Sequence, residues 1–373
     1  MNLDFSEEQR TLREMLRDFF EKESPGSVVR AAEPLGFDAS LWRKVAGLGL
    51  PAIAVPEDHG GGGSGCVELA IAAELLGRSL APVPLIEAAV ACGLLAGSGV
   101  AGSAVLGSLV AGERVATVAL HPVALHPSAL HPAALHPAAL HPVAARPATG
   151  EVARLVPAGA VADYVVVLRG EELLLAEQPD KPAAAIPNLG AMPLADCPVP
   201  AGAAVLARGP EAVAAHRDAV RRWELLTAAA LTGLAARALE IGVGYVLQRR
   251  AFGVLIGSFQ TIQHRLADNA TAVDGARLLA YQAAWAHDAG RPAAADLATM
   301  SFLFAAETAV TTASESLHFH GGYGYTLEYD IQLYFRRAKA WPLVAGDRRA
   351  GYAELARRLY GSPDGSLRGS AEE

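Results

Sequence analysis

Apolar residues recur at helical spacing from the start of the chain. Phe5, Leu12, Met15, Leu16 and Phe19 fall on one face with charges between them, the 3.6-residue repeat of an amphipathic helix. Ser6-Glu7-Glu8-Gln9 supplies a capped start. The pattern predicts further helices over 39–48, 65–77 and 85–96. A short apolar connector over 51–56 and the glycine run 60–63 lie between them. Residues 1–112 read as an all-helical domain.

The periodicity then changes. Runs over 115–120 and 164–168 are β-branched and bounded by Gly, Pro and Asp, with weaker versions over 173–175 and 203–206. Long amphipathic patterns vanish, and a small β domain over 113–208 is expected. Inside it, Leu-His-Pro-x-Ala repeats at a strict period of five, with histidines at 121, 126, 131, 136 and 141. A proline at every fifth position forbids a regular helix or a central strand. Five histidines raise the question of a metal. No cysteine or carboxylate accompanies them, and the period puts neighbours on neither a helical nor a strand face. The repeat is read as an expanded, extended loop, and no metal site is assigned.

From about 209 the chain is helical again. The segment 211–249 is apolar on almost every face, with small residues at Ala228, Ala229, Ala230 and Gly233, as in a helix buried on several sides of a bundle. Helices are predicted over 261–290, 294–319 and 347–360, followed by a polar tail. Residues 209–373 read as a helical bundle, and the fold class is α+β.

Composition narrows the function. The 373 residues are 52% apolar and 6% aromatic with a net charge of −8. That charge gives no basic footprint for nucleic acid. Cys66, Cys92 and Cys197 are widely spaced and odd in number, reading as buried thiols rather than a disulfide framework. The N-terminus is charged and lacks a signal-peptide core. The apolar run over 82–110 is broken by Pro, Gly and Ser, short of the ~20 apolar residues of a span. A cytoplasmic protein without membrane insertion is expected.

Two motifs carry candidate chemistry. In Arg249-x-x-Phe252-Gly253, followed by Phe259-Gln260, a helix is expected to end at Phe252-Gly253 with glycine as the left-handed cap. Such a corner can present a guanidinium to a pyrophosphate and an aromatic face to a flat ring. It can equally be an ordinary helix-turn-helix corner. In His318-x-His320-Gly321-Gly322-x-Gly324, adjacent glycines let a backbone approach a bound group, or simply cap a helix. The two histidines read as structural rather than metal-binding.

Together these motifs resemble the acyl-CoA dehydrogenase family over nearly the whole chain. Pro56-Glu57-x-x-Gly60-Gly61, Glu74-Leu75-x-Gly77-Arg78, Val161-Ala162-Asp163-Tyr164, Leu189-Gly190 and Arg336-Arg337-Ala338-Lys339 add to the likeness. The resemblance implies a helical N-terminal domain, a middle β domain and a C-terminal four-helix bundle. It implies FAD, an acyl-CoA substrate and an electron-transfer acceptor protein. It also implies a dimer or tetramer, of like or unlike chains, built through the bundle. Carried over, Arg249 meets the FAD pyrophosphate, Phe252 packs by the flavin or adenine, and Gln260 reaches the same cofactor, across a subunit interface. Gly321 and Gly322 admit the adenosine half, with His318 a further contact.

Two departures stand out. Ala119-Leu120-His121-Pro122 replaces the family's Thr-Glu-Pro stretch, and Ala345-Gly346-Asp347 stands where most members have Glu-Gly-Thr. Alanine cannot accept a proton. Some members place the base on the helix before the Arg-x-x-Phe-Gly corner. By position that residue is Trp223, with Glu224 one residue on. Glu224 is the candidate base, against the alternative of a glutamate favoured by a helix N-terminus. Asp347 is a weaker candidate. The pattern resembles base-lacking subunits of heteromeric members implied in shortening steroid side-chain CoA esters. The expected function is FAD-dependent α,β-dehydrogenation of an acyl-CoA, alone or within a heteromer. The alternative is a non-catalytic or cofactor-completing partner.

Overall fold

The computed structural model describes residues 4–98, 103–123, 151–178, 181 and 184–361. Six helices come first: α1 Glu7–Glu23, α2 Gly26–Ala31, α3 Ala39–Gly47, α4 Cys66–Ser79, α5 Leu85–Ala96 and α6 Ala104–Val110. Six strands follow: β1 Ala116–Val118, β2 Glu151–Val156, β3 Tyr164–Arg169, β4 Glu172–Glu177, β5 Ala195–Val199 and β6 Ala204–Arg208. Then come α7 Pro210–Val246, a hairpin of β7 Arg250–Ala251 and β8 Val254–Leu255, α8 Gln260–Asp288, α9 Ala294–Phe319, α10 Ile331–Ala340 and α11 Arg348–Tyr360.

The first helix begins as its sequence dictates. The Gln9 amide donates to Ser6 Oγ at 3.2 Å, and the Ser6 amide donates to Gln9 Oε1 at 3.0 Å. These bonds satisfy two of the orphan donors of a helix start. The centre of the molecule is where α4 meets α7. A Cβ on Gly77 would lie 1.9 Å from the Ala230 carbonyl oxygen, and one on Gly233 would lie 1.8 Å from that of Glu74. The two glycines thus bring the backbones together at a distance no side chain permits. Beside this crossing Glu74 is buried but fully partnered. It accepts from Arg277 Nε at 3.1 Å, Tyr281 Oη at 2.6 Å and Arg13 Nη2 at 3.3 Å. By length and composition α7 could cross a membrane, but 72% of its most apolar window is buried inside the protein. It is the core helix.

The strands form two sheets. One has the order β1-β3-β4-β6, with β1 parallel to β3 and the rest antiparallel; the other pairs β2 with β5. Alternation on β3 explains how both faces are used. Tyr164, Val166 and Leu168 join the helical core, while Val165 and Val167 join a separate core with Val156, Ala195 and Cys197. The period of two sends successive side chains to opposite faces. The three cysteines are buried and unpaired, and burial pushes the thiols of Cys92 and Cys197 up to about 12.

The helix α10 was not anticipated from the chain, because its basic run hides an apolar face. Arg337 on that face is only 2% exposed and pairs with Glu33 at 3.0 Å.

Candidate functional site

One expectation is corrected at the Arg249 corner. The helix does not run to Phe252-Gly253 but ends at Val246, and the chain turns through the β7–β8 hairpin. Ala251 pairs with Val254, leaving Phe252 and Gly253 as the two loop residues, at φ 53° and 85°. Positive φ at both central positions is the type I′ hairpin turn, whose twist matches that of the strands. Glycine supplies one at no cost; the phenylalanine is strained by about 1–3 kcal/mol. Phe252 is 96% exposed, stacked only edge-on against Phe259 with ring centres 6.4 Å apart.

The other residues of the two motifs gather at the same end of the bundle. Arg265 and Asn269 near the start of α8 both donate to Glu315 near the end of α9, at 2.6 Å each. Tyr245 at the end of α7 stacks on His320, ring centres 4.0 Å apart. His320 is buried and its Nδ1 lies 2.7 Å from the Ser316 carbonyl oxygen. Burial lowers its pKa more than that contact raises it. His320 is therefore a structural histidine. Arg249, Gln260, His318, Gly321 and Gly322 are exposed. Among the described residues, the Arg249 guanidinium has no hydrogen-bond or ion-pair partner. A Cβ on Gly321 or Gly322 would meet nothing within 4 Å.

A second feature lies between the domains. A cleft of about 650 Å³, its mouth included, is enclosed by the end of α4, the start of α5, Ala191 to Pro193, α7 and Trp341. The walls are apolar apart from Glu87, Thr227 and Arg337, and Arg337 is already paired with Glu33. Glu87 was missed in the sequence, where it sits in the first turn of an otherwise apolar helix. Trp223 Nε1 donates to Glu87 Oε1 at 3.3 Å. Burial raises the Glu87 carboxyl above the usual carboxylate range, more than its own amide and Trp223 lower it.

The sequence-derived base candidates lie elsewhere. Glu224 is 8% exposed and locked. Arg221 Nη1 donates to its two oxygens at 2.8 and 2.7 Å, and Thr299 Oγ1 donates to Oε2 at 2.9 Å. Glu224 does not line the cleft, whereas Trp223, one residue earlier and turned about 100° around the helix, does. Asp347 caps α11, accepting from the Arg349 amide at 3.0 Å. Ala345 ends the turn Trp341–Ala345 beside the cleft. That turn is tied to the β domain twice. His121 Nε2 lies 2.9 Å from the Val344 carbonyl oxygen, and Trp341 Nε1 donates to the Gly190 carbonyl at 3.3 Å. The other repeat histidines fall outside the described residues.

Cys66, His287 and Asp288 bring potential ligand atoms within 4.8 Å of one another. The arrangement is a helix cap: both Asp288 oxygens accept backbone amides, from Cys66 at 2.8 Å and Val67 at 3.1 Å. Asp288, and then Cys66, push the His287 imidazole up to about 10.

Comparison with known proteins agrees with this architecture. The acyl-CoA dehydrogenase N-terminal domain matches residues 6–113, and the acyl-CoA dehydrogenase C-terminal domain matches residues 219–360. The acyl-CoA dehydrogenase IpdE2 of Mycolicibacterium smegmatis is 30% identical over 95% of this chain and 100% of its own length. The ChsE4-ChsE5 complex from Mycobacterium tuberculosis contains a chain that superposes with a TM-score of 0.81. That chain is 27% identical, covering 97% of this chain and 100% of its own. A steroid acyl-CoA dehydrogenase variant, Tcur3481-Tcur3483, superposes at 0.77 with 27% identity over 94% and 97%. The chain belongs to the acyl-CoA dehydrogenase family. The cofactor of that family is FAD.

Proposed function

We propose that the chain is an FAD-dependent acyl-CoA dehydrogenase subunit, catalysing α,β-dehydrogenation of an acyl-CoA thioester within an oligomer of unlike chains. The observation that carries this is the end of the bundle, where groups suited to a dinucleotide stand exposed and, among the described residues, the Arg249 guanidinium has no partner in its own chain. Arg249 offers a guanidinium to a diphosphate. Phe252 offers an aromatic face, and Gln260 offers an amide. Gly321 and Gly322 leave open space that any side chain would narrow. His318 lies beside them on the last turn of α9. All face outward, which supports a cofactor shared across a subunit interface. When bound, FAD supplies the hydride-accepting chemistry. The cleft holds the acyl group away from water, and its apolar walls supply the binding energy.

The unlike partner is supported by what the family's usual base positions lack here. Removal of a proton next to a thioester carbonyl needs a base within hydrogen-bond reach. Ala345 has none to give, and Glu224 already accepts three hydrogen bonds. The relatives ChsE4-ChsE5 and Tcur3481-Tcur3483 pair two differently named subunits. A second reading, a cofactor-completing partner without turnover of its own, is favoured by that same locked Glu224. Purification alone and with a co-expressed relative separates the two. Flavin absorbance that bleaches on adding acyl-CoA supports the first reading. Flavin retained only with the partner, with bleaching that survives crowding the cleft by Thr227→Trp, supports the second. Absence of flavin in both preparations rules out both.

A further inference from the structure

We infer that the cleft selects acyl groups carrying an oxygen on their distal part, a hydroxyl or a ketone, with Glu87 as the group that recognises it. This rests on the reading of the cleft as the acyl site and adds the class of acyl group. The cleft is apolar along Leu76, Leu80, Ile86 and Met192, as a hydrocarbon tail requires. An unbranched alkyl tail needs nothing else. Glu87 is therefore the unexplained group. A carboxyl in such a wall costs stability unless something hydrogen-bonds to it. The groups donating to it are its own backbone amide and the Trp223 indole. Among the described residues no cation is a partner of Glu87, in contrast to Arg337, which Glu33 neutralises. Burial favours the protonated form. A protonated carboxyl is a donor as well as an acceptor. Trp223 engages Oε1, so an O–H on Oε2 is left for an oxygen brought by the ligand. A purely hydrocarbon tail would strand that donor, and a site built to hydrogen-bond rejects a ligand that cannot answer it.

The test measures dissociation constants by calorimetry on the full chain, as purified with its cofactor and any co-purifying subunit. The probes are matched alkanoyl-CoA and ω-hydroxyalkanoyl-CoA thioesters from six to twelve carbons. The wild type is expected to prefer the hydroxylated member about 5- to 10-fold at the length that reaches Glu87, the worth of one hydrogen bond. Glu87→Leu should abolish or invert the preference by tightening the plain thioester. Glu87→Gln, which keeps the shape and a donor, should retain part of it. Equal affinities at every length, or a preference unchanged in Glu87→Leu, overturn the inference. So does a Glu87→Gln protein that loses flavin bleaching while the wild type shows no hydroxyl preference, since the carboxyl would then be the proton acceptor. Preference without bleaching in the wild type keeps the inference and removes the dehydrogenase reading; bleaching without preference does the reverse.

Discussion

The Arg249 end of the bundle and the Glu224 network lie on the same long helix and its continuation, yet they treat charge in opposite ways. Around Glu224, Arg221 and Thr299 answer the carboxylate, and Arg358 donates to the same Thr299 at 2.9 Å. At the other end Arg249 is unanswered among the described residues, Phe252 is 96% exposed on a strained turn, and Gln260 faces solvent. Polar groups that satisfy one another inside a chain are scaffold. Exposed groups held in costly conformations without an internal partner point to something outside it. The contrast explains why a glutamate one residue from a base position is a poor candidate, and why the corner is a good one.

The comparison presupposes the helix that carries both regions, and the largest effect comes from removing that support. Gly77→Val or Gly233→Val drives a side chain into a backbone carbonyl less than 2 Å away. Neither backbone can yield, so a loss of at least about 4 kcal/mol, or no soluble protein, is expected. Denaturant titration would show it; wild-type stability in either variant would mean the α4–α7 crossing is wrong.

The contrast itself is sharpened by a matched pair. Glu224→Gln should cost about 2 kcal/mol by leaving Arg221 without its anion, and should leave flavin content unchanged. Arg249→Ala should cost less than about 0.5 kcal/mol, as exposed side chains do. It should also lower flavin retention at least tenfold, the worth of a charge-assisted bond. Reversed results, with Arg249→Ala unfolding the protein or Glu224→Gln losing flavin, break the comparison.

How far each region was legible in the sequence follows the same division. The long helices and the β3 alternation were readable because burial imposes a period. The exposed corner was readable as a motif, but not as a hairpin. Phenylalanine is no turn signal, so in the sequence the glycine after it reads as a helix cap, whereas the structure holds Phe252 at φ 53° in a hairpin loop. The state of Glu224 was not readable at all. Arg221 lies on its own helix, but Thr299 arrives from 75 residues away, and one helical step decides whether a side chain faces the cleft or the bundle. Glu87 was hidden for the opposite reason: within an apolar run, a single carboxyl carries no pattern.

A smaller effect separates scaffold from site by pH. His287 and Asp288 are 28% and 31% exposed, and the imidazole lies 3.6 Å from the carboxylate. The folded pKa of His287 is raised to about 10. Its stabilisation is therefore complete below the unfolded value near 6.5 and is lost as pH rises through about 10. Asp288 is lowered, chiefly by its contacts with His287 and the α4 amides against an opposing burial cost. Its contribution is present above about 3.8 and lost on acidification. Stability should form a plateau between these limits and decline towards pH 10 by on the order of 1–2 kcal/mol, discounted for screening. In His287→Gln the alkaline decline should flatten; an unchanged slope would assign it to other groups.

The smallest effect tests whether strain at the corner serves binding. Phe252→Gly relieves a positive φ at a position whose side chain is almost wholly in solvent. In the isolated chain it should be neutral or stabilising by about 0.5–1 kcal/mol, the strain relieved being offset by glycine's greater freedom when unfolded. Evolution by stability alone would favour glycine there. If Phe252 is retained for its aromatic face, the same substitution weakens flavin retention severalfold while raising or sparing Tm. Phe252→Tyr, which keeps both the ring and the strain, should leave retention near wild type. Opposite signs for stability and cofactor retention are what a residue serving an outside partner must give. If Phe252→Gly lowers both together, the ring belongs to the scaffold, and the division between the two ends of this helix fails at its most exposed residue.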